Sequence, residues 1–485
     1  MPRRPMHMSD AAKAALSTAL QNLRTALGAD ADFPEPVLQA AAAAAQAPVL
    51  SHEDATHLPF FTIDPPESQD LDQAMYLERR PGGGYRVHYA ITDIAAFVTP
   101  GGVLDAEAGK RVETLYFPDV KVPLHPPVLS EGAASLLPNR TVPALLWRHD
   151  LDAQGEVTAS DVRRALVRSR AKLNYACVQQ DIDAGTAEES VALLRDIGVL
   201  REAVEADRGA VSLALPDQEV TFENGEFHLD YRAPLPVDGW NEQLSLMTGM
   251  AAAGLMLDSG TGVLRTQRKR TPDPVPGLHL IARQLGIEWP EHMSYAERIR
   301  TLDPGLRNHA AFLHEAIRLF RPAEYKTFRD GAVPPLHVHA SIAAPYTHCT
   351  APMRRLVDRY AGELCVAACA GQAPPAWVLA ALDGLPARMA GGKGGKADRE
   401  SVDIVEAALL MKREGEVFDA AVIDTDVDAP APAFGGLAYL ADPPVMGRIS
   451  SPTGSLELGA SVRAKLDRAD PKAGLDVDKI LFSVP

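Results

Sequence analysis

The run Thr62-Ile63-Asp64-Pro65-Pro66-Glu67-Ser68-Gln69-Asp70-Leu71-Asp72-Gln73 holds the densest candidate chemistry in the chain. The apolar residues 59–63 read as a strand that ends at Asp64, and the Pro-Pro pair then forces an irregular loop. If that loop is extended, Asp70 and Asp72 project to one side, because side chains at i and i+2 share a face. Three carboxylates would then converge beyond one strand. Such a cluster is electrostatically poor unless a cation fills it. Oxygen ligands alone favour magnesium or manganese over zinc. Hard cations that bridge carboxylates to phosphate are the usual apparatus of phosphodiester cleavage. A solvated acidic loop is the plainer reading of the same residues, since aspartate favours turns, so the cluster needs partners.

Candidate partners lie far along the chain. Tyr346-Thr347-His348-Cys349-Thr350-Ala351-Pro352-Met353-Arg354-Arg355 reads as a polar loop leading into a helix from Pro352. Free N–H groups at a helix start bind phosphate. Arg354 can add bidentate contacts and steady developing charge, although a surface salt bridge is the alternative for either arginine. Asn241-Glu242-Gln243 opens a helix rich in Leu and Met, either as a simple cap or with Glu242 as a further acid near the metal or substrate. Residues 162–175 are locally basic. On a strand, Arg164, Arg168, Arg170 and Lys172 would share one face and track phosphates, or form a solvated face. Tyr116 and Tyr175 are candidate stacking platforms for bases. Arg265, Arg268, Lys269 and Arg270 form a second basic patch, expected in a loop. His337, His339 and His348 are expected to be structural, with no metal assigned to them.

The elements that must position these groups follow from the pattern. Ser9 reads as an N-cap after frayed residues 1–8, and Leu16, Leu20, Leu23 and Leu27 recur at helical spacing. A second helix is expected over residues 34–46, and the pair either packs onto the main body or forms a helix-turn-helix arm. Short strands then follow at 60–63, 85–91 and 141–149, and a mixed region runs to about Ala370. The G-G-K-G-G segment, residues 391–395, suggests a mobile loop or hinge. Strands at 417–423, 436–440, 461–466 and 479–484, with a loop at 426–433, suit a five-stranded OB-type barrel. The fold class is α+β, with a helical region 1–50, a large mixed catalytic domain 51–411 and a barrel 412–485.

The chain has 485 residues, 46% hydrophobic and 23% charged, which excludes disordered and fibrous classes. No run approaches the ~20 apolar residues of a membrane span, and the N-terminus lacks the pattern of a secretory signal. Four cysteines without a C-x-x-C point to a reducing cytosol rather than a disulfide scaffold or structural zinc. The net charge of −16 argues against nonspecific DNA coating but leaves room for a local basic channel.

With these residues in place, the chain resembles the ribonuclease II / ribonuclease R (RNB) exoribonuclease family. H-L-P-F-F-T-I-D, S-L-L-P-N-R, S-R-A-K-L-N-Y, W-N-E-Q and T-A-P-M-R-R occur in the family's order. The resemblance implies 3′-to-5′ hydrolysis of single-stranded RNA with a free 3′ end, releasing nucleoside 5′-monophosphates with Mg2+, or Mn2+ in its place. It implies an RNB-type catalytic domain and a C-terminal OB-type RNA-binding barrel. By motif match, Asp64, Asp70 and Asp72 take catalytic and metal-binding positions, and Arg354 contacts the scissile region. Glu242 sits near the 3′-terminal nucleotides, and Tyr116 and Tyr175 hold the RNA end. Arg168, Lys172 and Thr350 complete the expected substrate contacts. The implied protein is a cytoplasmic monomer with no membrane partner.

Two departures stand out. The family usually has two adjacent aspartates where this chain has Asp72-Gln73, which removes one negative ligand. The N-terminal region, residues 1–50, is also expected to be too short for the cold-shock-type barrels that usually precede the catalytic domain. Gln73 motivates an alternative, a catalytically weak or inactive RNA-binding protein on the same fold.

Overall fold

The computed structural model describes residues 10–48, 52–211, 217–223, 226–232, 234–271, 273, 275–303, 306–316, 320–390, 392–426, 434–441, 443–451, 454 and 456–485. The expected cap at Ser9, residues 1–8 and residues 427–433 of the expected loop lie outside these. The chain opens with α1 (Asp10–Leu27) and α2 (Glu35–Gln46). Leu16, Leu20 and Leu23 are buried along α1, as their spacing requires. Pro34 is the residue before α2, so that helix begins one residue later than expected. The two helices bury their faces in different clusters: α1 packs with Leu115, Phe117 and Ile404, and α2 with Phe97, Leu129 and Met353.

The central sheet comes next: β1 (Glu53–Asp54), β2 (Phe60–Ile63), β3 (Gln73–Arg79) and β4 (Tyr85–Thr92). After α3 (Val103–Arg111), a small hairpin pairs β5 (Leu115–Tyr116) with β6 (Lys121–Val122). The long strands β7 (Thr141–Leu151) and β8 (Val157–Leu173) complete the sheet in the order β1-β8-β2-β3-β4-β7. With 17 residues, β8 is long enough to pair antiparallel with β7 and, further along, parallel with β2, so the sheet closes on itself. Strand period explains the two sides. Ala74, Ala90, Ala144, Leu146, Ala165 and Val167 form one cluster of mostly small residues. Their neighbours Met75, Tyr89, Ile91, Leu145 and Trp147 face the helical layer.

That layer is built from α4 (Tyr175–Ala184), α5 (Glu189–Asp207) and α6 (Pro236–Ser259), with the hairpin β9 (Asp217–Glu223) and β10 (Glu226–Arg232) between the last two. Strand β11 (Gly262–Thr266) pairs across a helical insertion, α7 (Val275–Gln284), α8 (Tyr295–Arg300) and α9 (Arg307–Ala316), with β12 (Glu324–Phe328). Helices α10 (Leu356–Cys369), α11 (Ala376–Leu382), α12 (Leu385–Met389) and α13 (Lys393–Leu410) follow. The closed barrel runs β13 (Val417–Asp426), β14 (Phe434–Ala441), β15 (Pro444–Ser451), β16 (Ser461–Ala469) and β17 (Ile480–Ser483), in the order β13-β14-β15-β17-β16. Helix α13 joins the parts: Ile404, Val405 and Ala408 pack with α1, and Ala407 and Leu410 with the barrel.

Several local expectations are corrected. Helix α6 starts at Pro236, five residues before Asn241, because proline suits the first helical turn and the Asp238 carboxylate accepts the Leu235 N–H at 2.7 Å. Helix α10 starts at Leu356 instead of Pro352, because Arg355 is extended (φ −136°, ψ 123°) and bridges Glu113. The glycine-rich segment opens α13 rather than forming a hinge: the Gly394 N–H donates to Glu113 Oε1 at 2.9 Å, and Gly391 lies outside the described residues. Strand β15 escaped the sequence reading because Gly447 interrupts it. A Cβ there would meet Ile480 and Phe482 at 2.6 Å, so the barrel interior leaves room for hydrogen only.

The expected basic face on β8 is also broken. Arg164 pairs with Asp93 and Glu363, and Arg170 with Glu188. Arg168 donates to Thr141 Oγ1 on β7. Asp93 and Glu363 side chains are only 2% and 9% exposed, and Arg164 compensates both, with His52 adding a second partner for Asp93 at 2.9 Å. Arg164→Ala is expected to destabilise the protein by about 3–5 kcal/mol, because it takes the arginine from buried Glu363 and leaves buried Asp93 with His52 at 2.9 Å. Urea unfolding of the variant checks this.

Candidate active site

Asp64 follows the last residue of β2, and its N–H donates to the Leu173 carbonyl at 3.1 Å, so the end of β8 fixes its position. The chain then turns through Pro65 and Pro66. Lys172 holds this turn by donating to the carbonyls of Pro66, at 2.6 Å, and Ser68. Leu71 is fully buried, with its N–H on Ser135 Oγ at 3.0 Å and its carbonyl accepting from Leu136. Leu71 points into the core, so Asp70 and Asp72 turn the other way, as the i, i+2 spacing anticipated. The Asp72 carbonyl accepts from Thr92, which starts the pairing of β3 with β4.

The second segment arrives from the far side of the sequence. Gly249 on α6 has no Cβ, and one placed there would meet Tyr346 at 2.3 Å, so residues 346–350 lie directly against the helix. Thr347 N–H donates to the Gly249 carbonyl at 3.2 Å. Met353 N–H donates to Asp72 Oδ1, and Ala351 N–H to Asp358 Oδ1, both at 2.8 Å. These loop donors are therefore engaged by the protein's own carboxylates, not free for phosphate as a helix start would leave them. The adjacent arginines separate. Arg355 binds Asp358 through two hydrogen bonds of 3.0 and 2.7 Å. Arg354 has its carbonyl fixed by Thr114 N–H at 3.0 Å and lines the same cavity as the carboxylates.

That cavity, about 380 Å3, is lined by Asp64, Asp70, Asp72, Gln73, Tyr116, Tyr175, Asn241, Glu242, Ser245 and Arg354, together with Ile63, Pro65 and Ser68. The structure thus brings together Asp64, Asp70, Asp72, Arg354, Tyr116, Tyr175 and Glu242. Lys172 lies behind the Pro-Pro turn. Thr350 is buried in the wall, with its hydroxyl 2.8 Å from Ser245 Oγ and its carbonyl accepting from Gln73 Nε2 at 2.8 Å. Arg168 is exposed on β8 and does not line the cavity. Gln73 also accepts the Tyr89 hydroxyl, so its amide is a strut between β4 and the Thr350 wall. Tyr175 OH accepts from Asn241 Nδ2 at 3.1 Å. Tyr116 is 44% exposed, with its hydroxyl turned toward Asp70. Arg265 belongs to β11 and stacks on Tyr325 at 4.4 Å, not in an expected loop patch. His348 bonds the Tyr325 hydroxyl at 2.6 Å.

Sequence reasoning missed Lys121, Asn241 and Ser245. Asn241 was legible in W-N-E-Q, and Ser245 follows it by one helical turn. Lys121 is set directly across the β5–β6 hairpin from Tyr116 and lies 3.4 Å from Asp70. No local motif marks it.

Burial dominates the electrostatics. It pushes the Asp72 carboxyl up to about 8, against the opposing pull of Arg354 and the Met353 N–H. It pushes Asp64 up to about 7, with Asp70 adding to the rise and Lys172 and Arg354 opposing it. The fixed cations therefore under-compensate the carboxylates. Such a donor set fits a hard divalent cation. Among the described residues no three His, Cys, Asp or Glu side chains enclose an ion unaided, so water or phosphate oxygens must complete its shell. Among the described residues no helix is long and apolar enough to cross a membrane.

Comparison with known proteins matches this arrangement to a lineage. The RNB domain profile matches residues 52–369, and the RNase II-type exonuclease C-terminal S1 domain matches residues 416–475. Exosome complex exonuclease RRP44 homolog A of Arabidopsis thaliana is 28% identical over 334 residues, covering 65% of this chain and 35% of that protein. Ribonuclease R of Escherichia coli is 26% identical over 324 residues, covering 63% and 39%. The chain thus spans well under half the length of these relatives. The structure of Mycoplasma genitalium RNase R with ribose methylated single-stranded RNA superposes with a TM-score of 0.82 at 18% identity, covering 97% of this chain and 78% of that one. Yeast Ssd1, a pseudonuclease, superposes at 0.66 with 14% identity, covering 86% and 52%. RNB exoribonucleases generally depend on a divalent metal. A match over residues 52–369, on a fold that gathers the same motifs around one cavity, means that this chain belongs to the RNB domain family.

Proposed function

We propose that this protein is a hydrolytic exoribonuclease that degrades single-stranded RNA from its 3′ end to nucleoside 5′-monophosphates with Mg2+ or Mn2+. The observation that carries the reading is that Asp64, Asp70, Asp72 and Arg354 line one cavity, although Asp72 and Arg354 lie far apart in sequence. Asp64, Asp70 and Asp72 would hold the divalent cation. When bound, that cation polarises the scissile phosphate and activates water for in-line attack. Arg354, on a backbone fixed at both ends, supplies positive charge to the phosphate in the transition state. Tyr116, exposed at the cavity, stacks on a base, and Tyr175 and Glu242 orient the terminal nucleotide. Lys172 acts through the Pro-Pro turn and Thr350 through the wall beneath Arg354. Arg168 contributes diffuse attraction to the phosphate chain.

In this reading residues 1–50 brace the catalytic region 51–411, and the barrel 412–485 guides the strand. The four free thiols suit a reducing cytosol, and the protein acts as a monomer. The second reading, an RNA-binding protein with little chemistry, is favoured by one observation: Gln73 offers an amide already engaged by Tyr89 and Thr350 where a ligand carboxylate is usual.

Labelled RNA with a 3′ overhang and Mg2+ distinguishes the two readings. The expected result is a ladder ending in mononucleotides. Intact RNA that shifts on a gel would favour the second reading. Asp72→Asn is expected to lower turnover by roughly 100-fold or more while leaving RNA affinity within about threefold, since metal surroundings of this kind carry such penalties. Single-turnover assays and gel shifts check both halves. Tyr116→Ala is expected to weaken RNA binding by about 1–3 kcal/mol, the value of one stacked base, as read by fluorescence titration.

The carboxyl shifts also predict a pH dependence. Asp64 and Asp72 are raised in the folded state from an ordinary 3.8, to about 7 and about 8. A raised carboxyl favours folding while protonated, so metal-free protein loses stability as pH rises from about 4 through about 8. Thermal unfolding in EDTA should show this fall, and excess Mg2+ should reduce it. A metal-free melting temperature that rises from pH 5 to 8 would contradict the burial argument.

A further inference from the structure

Lys121 is a cation paired with one of the cavity's carboxylates, and the proposed chemistry does not use it. The β5–β6 hairpin sets it directly across from Tyr116. Its ammonium lies 3.4 Å from Asp70 Oδ2 and also pairs with Glu131. The three side chains are 26%, 16% and 32% exposed, so the ammonium can move between its partners without crossing the core. Glu131 stands on the π-helical turn Leu129–Ala133, whose Leu129 and Ser130 are buried, so its position is fixed from beneath. Among the described residues neither Asp64 nor Asp72 has a side-chain ion pair. Lys172 is held on two carbonyls, and Arg354 reaches both aspartates through space. Of the three aspartates, Asp70 is thus the one paired with a lysine.

We propose that Lys121 competes with the divalent cation for Asp70, and that Glu131 receives the ammonium when the metal binds. The inference rests on the metal-dependent reading given above. Two cations within a few ångströms of one carboxylate repel each other, so each lowers the other's occupancy. A lysine stem is flexible enough to swing between two carboxylates, and its charge is a compact point that can stand where a metal would. The consequence is that Lys121 raises the divalent concentration at which the site fills, and Glu131 lowers it. Lys121 is a positioning residue here, acting on the metal through Asp70.

The test is Mn2+ binding to RNA-free protein, counted from the free-ion paramagnetic resonance signal, with Mg2+ calorimetry alongside. Lys121→Met, which keeps the stem and removes the charge, is expected to lower the half-saturating concentration about tenfold. Lys121→Gln should act in the same direction, and Lys121→Arg should stay near the wild-type value. Glu131→Gln should raise half-saturation about threefold, because the ammonium then has only Asp70. Thermal unfolding in EDTA confirms that each variant is folded. Saturable wild-type binding that Lys121→Met and Lys121→Gln leave within twofold, or weaken, overturns this inference alone. A wild-type protein that binds no Mn2+ overturns the metal-dependent reading and this inference with it.

Discussion

The burial of Asp72 against Met353 is the contact on which the site depends. One hydrogen bond, from the Met353 N–H to Asp72 Oδ1, joins segments 281 residues apart. It fixes the loop that carries Arg354 to the strand end that carries the carboxylates. Burial nevertheless pushes the Asp72 carboxyl up to about 8, against the opposing pull of Arg354 and of this hydrogen bond. A fold that holds a carboxylate in this condition has traded local stability for an affinity toward cations.

The loops around this contact share a design in which acids hold backbone. Asp358 accepts the Ala351 N–H and clamps Arg355, Glu113 accepts the Gly394 N–H, and Asp238 accepts the Leu235 N–H. Carboxylates thus fix the walls, and Asp72 does both, holding the Met353 N–H while it lines the cavity. The same division separates the arginines. Arg355 and Arg164 neutralise buried acids, and Arg354 faces the open space. The barrel meets this framework through α13, which packs against both the barrel and α1.

Much of the site was legible because its signals are local. The Pro-Pro bend and the D-L-D spacing each state their geometry within a few residues, and W-N-E-Q marks the turn of α6 that brings Asn241 and Glu242 to the cavity. Lys121 was not legible: its neighbourhood with Asp70 is created by a hairpin of two-residue strands, which periodicity cannot register. The basic face of β8 misled for a related reason. Its alternation slips at Arg170, where the pairing with β2 shifts register, and the partners of Arg164 come from Asp93, just after β4, and Glu363 on α10, which only the tertiary fold brings near. In the barrel, β15 was hidden because Gly447 answers to Ile480 and Phe482 across the interior rather than to strand propensity.

Leu71 carries a consequence for how this stretch can change over evolutionary time. Its side chain is sealed in the core while its two neighbours face the cavity. Inserting or deleting a single residue between positions 70 and 72 would rotate an acid into hydrocarbon and a leucine into water. Alignment gaps are therefore forbidden here, and the exposed Pro66-Glu67 corner upstream can change length only at the cost of the Lys172 contacts to Pro66 and Ser68.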